Sequence, residues 1–291
     1  MGNKGFSTFM MLPAIAVFVL FGVYPMLDAL WNSLNNYSLT STEGKTFIGL
    51  QNYFTMFTDI RFWESLGRSL LFVTMSVLLS FLIGFGIALL LNRIQIFQGV
   101  FRIIFLVPMI IAPTITTLNF KFMYNYNLGI LNSIFETIGL QKINFLGDSS
   151  LALLSTMIVD IWQWTPLVIL VLLAGLEALP TEPYEAALID GATPWKTFSF
   201  LTLPLLKKFI VIVLVIRVMD ALKVYETIQL MTAGGPGTAS ETLNIYLAQV
   251  GFNWYNMGYA SALGIFTLYF TTFIAWLLVK YTGAFKSQTE V

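Results

Sequence analysis

No cysteine and no histidine occur anywhere in the 291 residues. The first absence excludes disulfides and thiol chemistry, and the second removes the commonest general base. Together they exclude the usual zinc clusters. Charge is nearly as scarce. Only 10% of the residues are Asp, Glu, Lys or Arg, where a soluble domain carries roughly 25%. Hydrophobic residues make up 57% of the chain and the mean hydropathy is +0.79, so lipid is the expected solvent. Fifteen basic and fifteen acidic residues cancel, which implies no basic surface for nucleic acid. Enzymatic chemistry, if any, would rest on carboxylates, Lys or Tyr.

Long apolar runs are what the chain has in abundance. A spanning helix needs about 20 mostly apolar residues, and six runs qualify: Phe9–Trp31, Ser69–Asn92, Ile103–Tyr124, Leu151–Leu176, Lys208–Leu230 and Tyr259–Tyr281. The fold class is therefore all-α, a polytopic membrane protein with six transmembrane helices. The first run follows Lys4, exceeds the roughly 7–15 apolar residues of a signal-peptide core, and no small-residue cleavage site follows it. It reads as a retained first span, with residues 1–65 forming that span and an outer loop and residues 66–285 the remaining five. Within that loop, 41–57 has short helical promise and no chemistry. Pro108 and Pro113 in the third run and Pro166 in the fourth are expected to kink their helices and free carbonyls that neighbours must satisfy.

Lys and Arg near the span ends set the orientation. One face holds Lys4, Arg93, Arg102, Lys196, Lys207, Lys208, Lys280 and Lys286, the other Lys45, Arg61, Arg68, Lys121 and Lys142. The bias puts both termini in the cytoplasm, and with them the stretch between the fourth and fifth runs.

That stretch, EAALIDGATPWKTFSFLTLP over residues 185–204, interrupts the apolar pattern with two acids, a lysine, a glycine and two prolines. Glu185 to Ile189 are good helix formers, and Gly191 permits a sharp turn. Thr193-Pro194 restarts a helix, since Thr suits the N-cap and Pro the first helical position. Two short helices at an angle make a rigid knuckle for another protein to grip, although local chemistry alone also allows an ordinary structured loop. The pattern E-A-A, three residues, G, nine residues and I-x-L-P resembles the EAA loop of permease subunits in binding-protein-dependent ABC importers. Leu201 in place of Ile is the one departure. MTAGGPGTASETLNIYL (231–247), NMGYASALG (256–264) and FRIIFLVPMIIAPTITTLNFKFMYNYNLGILN (101–132) are similar to the carbohydrate-uptake, maltose-type permeases. The resemblance implies that residues 66–285 form the permease core. It also implies that a coupling helix at about 181–203 carries ATPase contacts at Glu185, Ala186, Ala187 and Gly191, with Pro204 as the hinge into span five. No nucleotide is expected on this chain. GATPWKT (191–197) lacks the glycine before its lysine, is one residue short, and has a proline where a phosphate cradle needs a donor.

Span five also carries Arg217, Asp220, Lys223 and Glu226, three apart and alternating in sign. A charged side chain at mid-bilayer costs at least about 2.5–3.5 kcal/mol, so four of them will not face lipid. One reading is a self-paired ladder packed against another helix. The other is the polar lining of a substrate path. In the resembled family, sugar contacts come from the middle of spans four and five, which implies Gln163, Trp164 and Leu167 together with Arg217, Ala221, Val224 and Glu226. Asp160, Asp220 and Lys223 are possible charge partners. Trp164 stays open between an aromatic face for sugar C–H groups and plain helix packing.

The resemblance implies a permease subunit that moves a sugar or small oligosaccharide inward across a bacterial or archaeal cytoplasmic membrane. It would work with a second homologous permease, two ATPase subunits holding ATP and magnesium, and an extracytoplasmic sugar-binding protein. Covalent catalysis is not expected. A self-contained secondary transporter using Asp160, Asp220 or Glu226 as proton sites is the alternative, though it leaves the knuckle unexplained and usually shows repeats, of which no inverted one is seen.

Overall fold

The computed structural model describes residues 4–42, 44–94 and 98–282. Lys286, used above for orientation, lies outside the described residues. Helices dominate. Among the described residues five are long and apolar enough to cross a membrane, and a sixth span results if one sharply bent pair counts as one. Contacts divide the chain into two compact units, residues 1–65 with 246–270 and residues 66–245 with 271–291. The division by contacts shares the 65/66 boundary and groups 246–270 with the N-terminal part.

In the first unit, α1 (Lys4–Phe18), a π-helical turn (Val19–Val23) and α2 (Tyr24–Ser33) form one continuous helical run. The turn widens just before Pro25, which has no N–H to give the preceding turn and whose ring would clash there. Every side chain from Met10 to Phe21 is exposed. Beyond it, β1 (Asn35–Asn36) pairs antiparallel with β2 (Thr46–Phe47). The amphipathic helix α3 (Gln51–Thr58) is tied back by Asn52, whose Nδ2 donates to the carbonyls of Ser33 and Asn35 at 2.8 and 3.0 Å. Asp59 then accepts the Arg61 amide at 2.9 Å, and this cap lets α4 (Ile60–Arg93) begin well before the expected Ser69. Across this unit, Phe62 meets Phe266 of α14 (Met257–Thr282) edge to face at 5.1 Å.

In the second unit, α5 (Gln98–Ile110) and α6 (Pro113–Met123) form the bent pair, with 88° between them. The expected third span is thus broken rather than kinked. Ala112 precedes a proline, which disfavours helical backbone, and its ψ of 134° ends the helix there. Pro108 and Pro166 both sit inside uninterrupted helices. After α7 (Ile130–Thr137), the helix α8 (Ala152–Glu177) is the most enclosed element. Its Val168, Ile169, Leu172, Leu173 and Leu176 pack with Ala88 and Leu91 of α4 and with Leu206 and Val213 of α11 (Leu203–Ala221). Lipid tails are as apolar as leucine, so such packing is held by close fit more than by escape from water. Gly175 permits that fit: a Cβ there would lie 2.6 Å from the Phe209 ring.

Span five departs most from expectation. Helix α9 (Glu182–Ile189) is separate, but α10 (Pro194–Thr197) continues through a π-helical turn (Phe198–Thr202) into α11. Together they make one 28-residue helix ending at Ala221. Lys207 and Lys208 lie within it, exposed, their long stems able to carry the charge toward water. Pro204 is therefore no break, because the widened turn before it absorbs the missing N–H. At the other end, Asn244 Nδ2 takes the carbonyls of Leu222 and Val224 at 2.9 and 3.3 Å. The helix stops there, and a short α12 (Glu226–Met231) follows. Lys223 and Glu226 are consequently not on the helix that carries Arg217 and Asp220. Helix α13 (Leu243–Ala248) and a third π-helical turn (Gln249–Asn253) lead to α14.

Candidate functional site

Gly191 turns the polar stretch between α9 and α10. Its φ is +71°, a conformation that costs a residue with a Cβ and costs glycine little. The Ala192 amide donates to the Ala187 carbonyl at 2.9 Å and the Gly191 amide to Leu188 at 3.2 Å, the paired bonds of a Schellman ending. Thr193 then caps α10, its Oγ1 accepting from the Lys196 amide at 3.4 Å, with Pro194 in the first turn. The Tyr184 hydroxyl donates to Thr202 Oγ1 at 3.2 Å, which fixes α9 against the start of span five. The knuckle leaves Leu188, Ile189, Trp195 and Phe200 between 74% and 86% exposed. Glu185, Ala186 and Pro204 are exposed too, and Ala187 is half-buried.

The second polar feature lies between α8 and α11. Arg217, 1% exposed, places Nη2 2.6 Å from Asp160 Oδ2, and Asp160 is 5% exposed. Nη1 reaches Asp220 Oδ2 at 3.1 Å, and Asp220 is 45% exposed. Trp164, one helical turn beyond Asp160, sets its ring 5.8 Å from the guanidinium carbon. Arg217 Nε is buried without a partner. Thus the pairing is not a ladder along one helix. It is a cation between one enclosed and one open carboxylate, and the enclosed one is 57 residues distant in sequence.

The remaining expected residues scatter. Leu167 is half-buried, Ala221 is buried at the end of α11, and Val224 sits half-buried in the following turn. Lys223 and Glu226 are exposed. Arg217 lies near the far end of its helix rather than at the midpoint, whereas Trp164 does fall at the centre of α8. Gln163 acts elsewhere: its Nε2 donates to the carbonyls of Pro108 and Ile111 at 2.7 and 2.9 Å. These are carbonyls that the break between α5 and α6 leaves without helical donors. Its Oε1 is buried and unpartnered.

One polar cluster escaped the sequence. Asp59 Oδ2 accepts from the Tyr246 hydroxyl in a short hydrogen bond and from the Tyr259 hydroxyl at 2.7 Å. Arg61 lies over the rings of Tyr246 and Trp254, at 5.4 and 4.9 Å. Burial works against the Asp59 carboxylate, but the two tyrosines and the amides of Arg61 and Phe62 outweigh it and hold its pKa below the ordinary value. The Tyr246 phenol is pushed up by burial and by the carboxylate beside it. Separations of 187 and 200 residues left no local pattern that would mark this group.

Residues 80–281 match a family described as the inner membrane component of binding-protein-dependent transport systems. The chain belongs to this family. It is a permease component embedded in the membrane and not a catalytic subunit. The permease is 38% identical to the trehalose/maltose transport system permease protein MalF of Thermococcus litoralis, over 89% of this chain and 87% of that one. It is 33% identical to the sulfoquinovosyl glycerol transport system permease protein SmoG of Agrobacterium fabrum, over 91% and 86%. Its fold matches a chain in the crystal structure of a bacterial ABC transporter that imports the acidic polysaccharide alginate. That TM-score is 0.84 at 23% identity, covering 98% of the permease and 97% of that chain.

Proposed function

We propose that the permease is one of two membrane subunits of an ATP-driven importer that carries a sugar or small oligosaccharide into the cell. The carrying observation is the knuckle: Leu188 and Ile189 stand uncovered on a polar, tightly turned segment, beside an uncovered Trp195 and Phe200 at the start of the next helix. Such a surface fits a protein groove better than lipid, since α9 also carries Glu182 and Glu185 in its first turn. On this reading both termini and the knuckle are cytoplasmic. Two ATPase subunits, which hold the ATP and magnesium, grip the knuckles of this chain and of a second homologous permease. A binding protein delivers substrate on the opposite face. Closure of the ATPases pulls the knuckles together and opens the membrane path outward, and hydrolysis returns it inward. The uncovered first span, exposed from Met10 to Phe21, has room for lipid and for the second permease. Sugar as cargo is supported by two relatives of at least 33% identity whose names specify sugars. The substrate path on this reading runs past Asp160, Trp164, Arg217 and Asp220.

Reconstitution in vesicles tests the proposal, with trehalose and maltose as first substrates. Uptake should require ATP, the second permease, the ATPases and the binding protein together. Uptake by this chain alone, driven by an ion gradient and indifferent to ATP, would instead establish a secondary transporter.

A further inference from the structure

The Arg217 cluster presents less positive charge than its sequence suggests. Both terminal nitrogens of Arg217 are taken by carboxylates, and the side chain is 1% exposed. Trp164 lies beside the guanidinium at 5.8 Å. The group left open to an incoming molecule is the Asp220 carboxylate, 45% exposed with only Oδ2 engaged. The half-buried indole of Trp164 stands close by. Lys223, exposed in the turn after α11, acts on Asp220 electrostatically. Within the bonded group the carboxylates Asp160 and Asp220 outnumber the one cation, Arg217. A uronate or sulfonate entering here meets excess negative charge and no free guanidinium. A neutral sugar can donate hydroxyls to Asp220 while its C–H face lies on the indole. Family membership leaves the choice open, because the fold is shared with an importer of an acidic polysaccharide.

Resting on the proposed path past these residues, we infer that the site admits neutral glycosides and rejects acidic ones, with Asp220 setting the discrimination. Enclosing Arg217 between two acids holds a strong cation where it braces the helices without attracting anions. Like charges brought together oppose binding, and specificity built this way depends on the repulsive element as much as the attractive one.

The test uses the assembled permease–ATPase complex in lipid nanodiscs, without the binding protein, so that the membrane site alone is read. Equilibrium dialysis at pH 7 and low salt compares maltose and trehalose with the same disaccharides carrying glucuronic acid in place of one glucose. The neutral sugars should bind at least about tenfold more tightly, the factor given by a like-charge penalty of about 1.4 kcal/mol. In Asp220→Asn the ratio should fall to about twofold or less, mainly because the acidic sugars bind better. In Lys223→Gln, which removes an exposed cation acting on Asp220, it should widen. Acidic sugars binding as tightly as neutral ones in the unmodified complex overturn the selectivity alone, as does a ratio unmoved in a well-assembled Asp220→Asn complex. Binding of neither class by a complex that imports sugar with its binding protein overturns the location as well. Should Asp220→Asn fail to assemble, the unmodified ratio and Lys223→Gln still decide.

Discussion

Two buried polar clusters, one in each compact unit, solve the same problem in opposite ways. Around Asp59, a single carboxylate accepts from two tyrosine hydroxyls and from a backbone amide, so its lone pairs are well used. Around Arg217, a cation divides itself between two acids, leaves Nε without a partner, and keeps one carboxylate half open. A polar group that is fully satisfied rigidifies its surroundings and has little left for a ligand. One satisfied on only one side stays costly and available. The first cluster is built as a latch and the second has the form of the proposed site, and that contrast can be broken by mutation.

The largest effect is expected at Arg217. Arg217→Gln alone strands Asp160 in an apolar helix pair and should cost about 3–5 kcal/mol, seen as loss of monodisperse complex and of uptake. Arg217→Gln/Asp160→Asn removes both enclosed charges and should recover assembly but not uptake. Full recovery of uptake in the double variant would reduce the cluster to structure and erase the contrast.

Gly191→Val comes next. A β-branched residue at φ +71° is strained by about 1–3 kcal/mol, and the strain sits in the knuckle. Membrane insertion should be normal and ATP-driven uptake reduced, with weaker retention of the ATPases on purification. Normal uptake with firmly held ATPases would remove the coupling role assigned to this turn. Gln163→Leu should cost about 1–3 kcal/mol by leaving the carbonyls of Pro108 and Ile111 unpaired. Thermal unfolding of the complex measures it.

The smallest effect belongs to the latch. Tyr246→Phe should lose about 1 kcal/mol and leave uptake unchanged at neutral pH. Because the Asp59 pKa is lower folded than unfolded, its contribution is complete above the unfolded carboxylate value of about 3.9 and disappears as pH falls through the folded value. Thermal melts of wild type and Asp59→Asn should therefore converge in acid and separate above about pH 4. An uptake defect in Tyr246→Phe as severe as that of Arg217→Gln would show that the two clusters do not differ in kind.

The apolar runs made the spans legible, because lipid imposes a length and a composition that no soluble fold requires. The knuckle was legible for a related reason: glycine, proline and a capping threonine at fixed spacing leave few backbone solutions. What stayed hidden depended on tertiary partners. Nothing local says that Asn244 will take the carbonyls of Leu222 and Val224, so Lys223 and Glu226 looked like further rungs on one helix. The two prolines of span three announced a disturbance, yet an 88° bend frees carbonyls that Gln163 reaches across from α8 to satisfy. At the candidate site, the pairing of Arg217 with Asp220 followed from a three-residue spacing. The shorter bond to Asp160 was visible only as a possibility.

The widened turn at Phe198–Thr202 has a consequence for azimuth. Such a turn accommodates one residue more than an α-turn, and each residue rotates an α-helix by about 100°. That turn takes up the extra residue without passing its rotation on, so Arg217 keeps the direction that regular winding would also give it. Deleting a single residue between 198 and 202 would close the turn toward regular winding, which Pro204 opposes, whereas the same deletion between 206 and 216 would swing Arg217 away from Asp160 by about 100°. The slack in this rod is thus confined to the end that carries the knuckle.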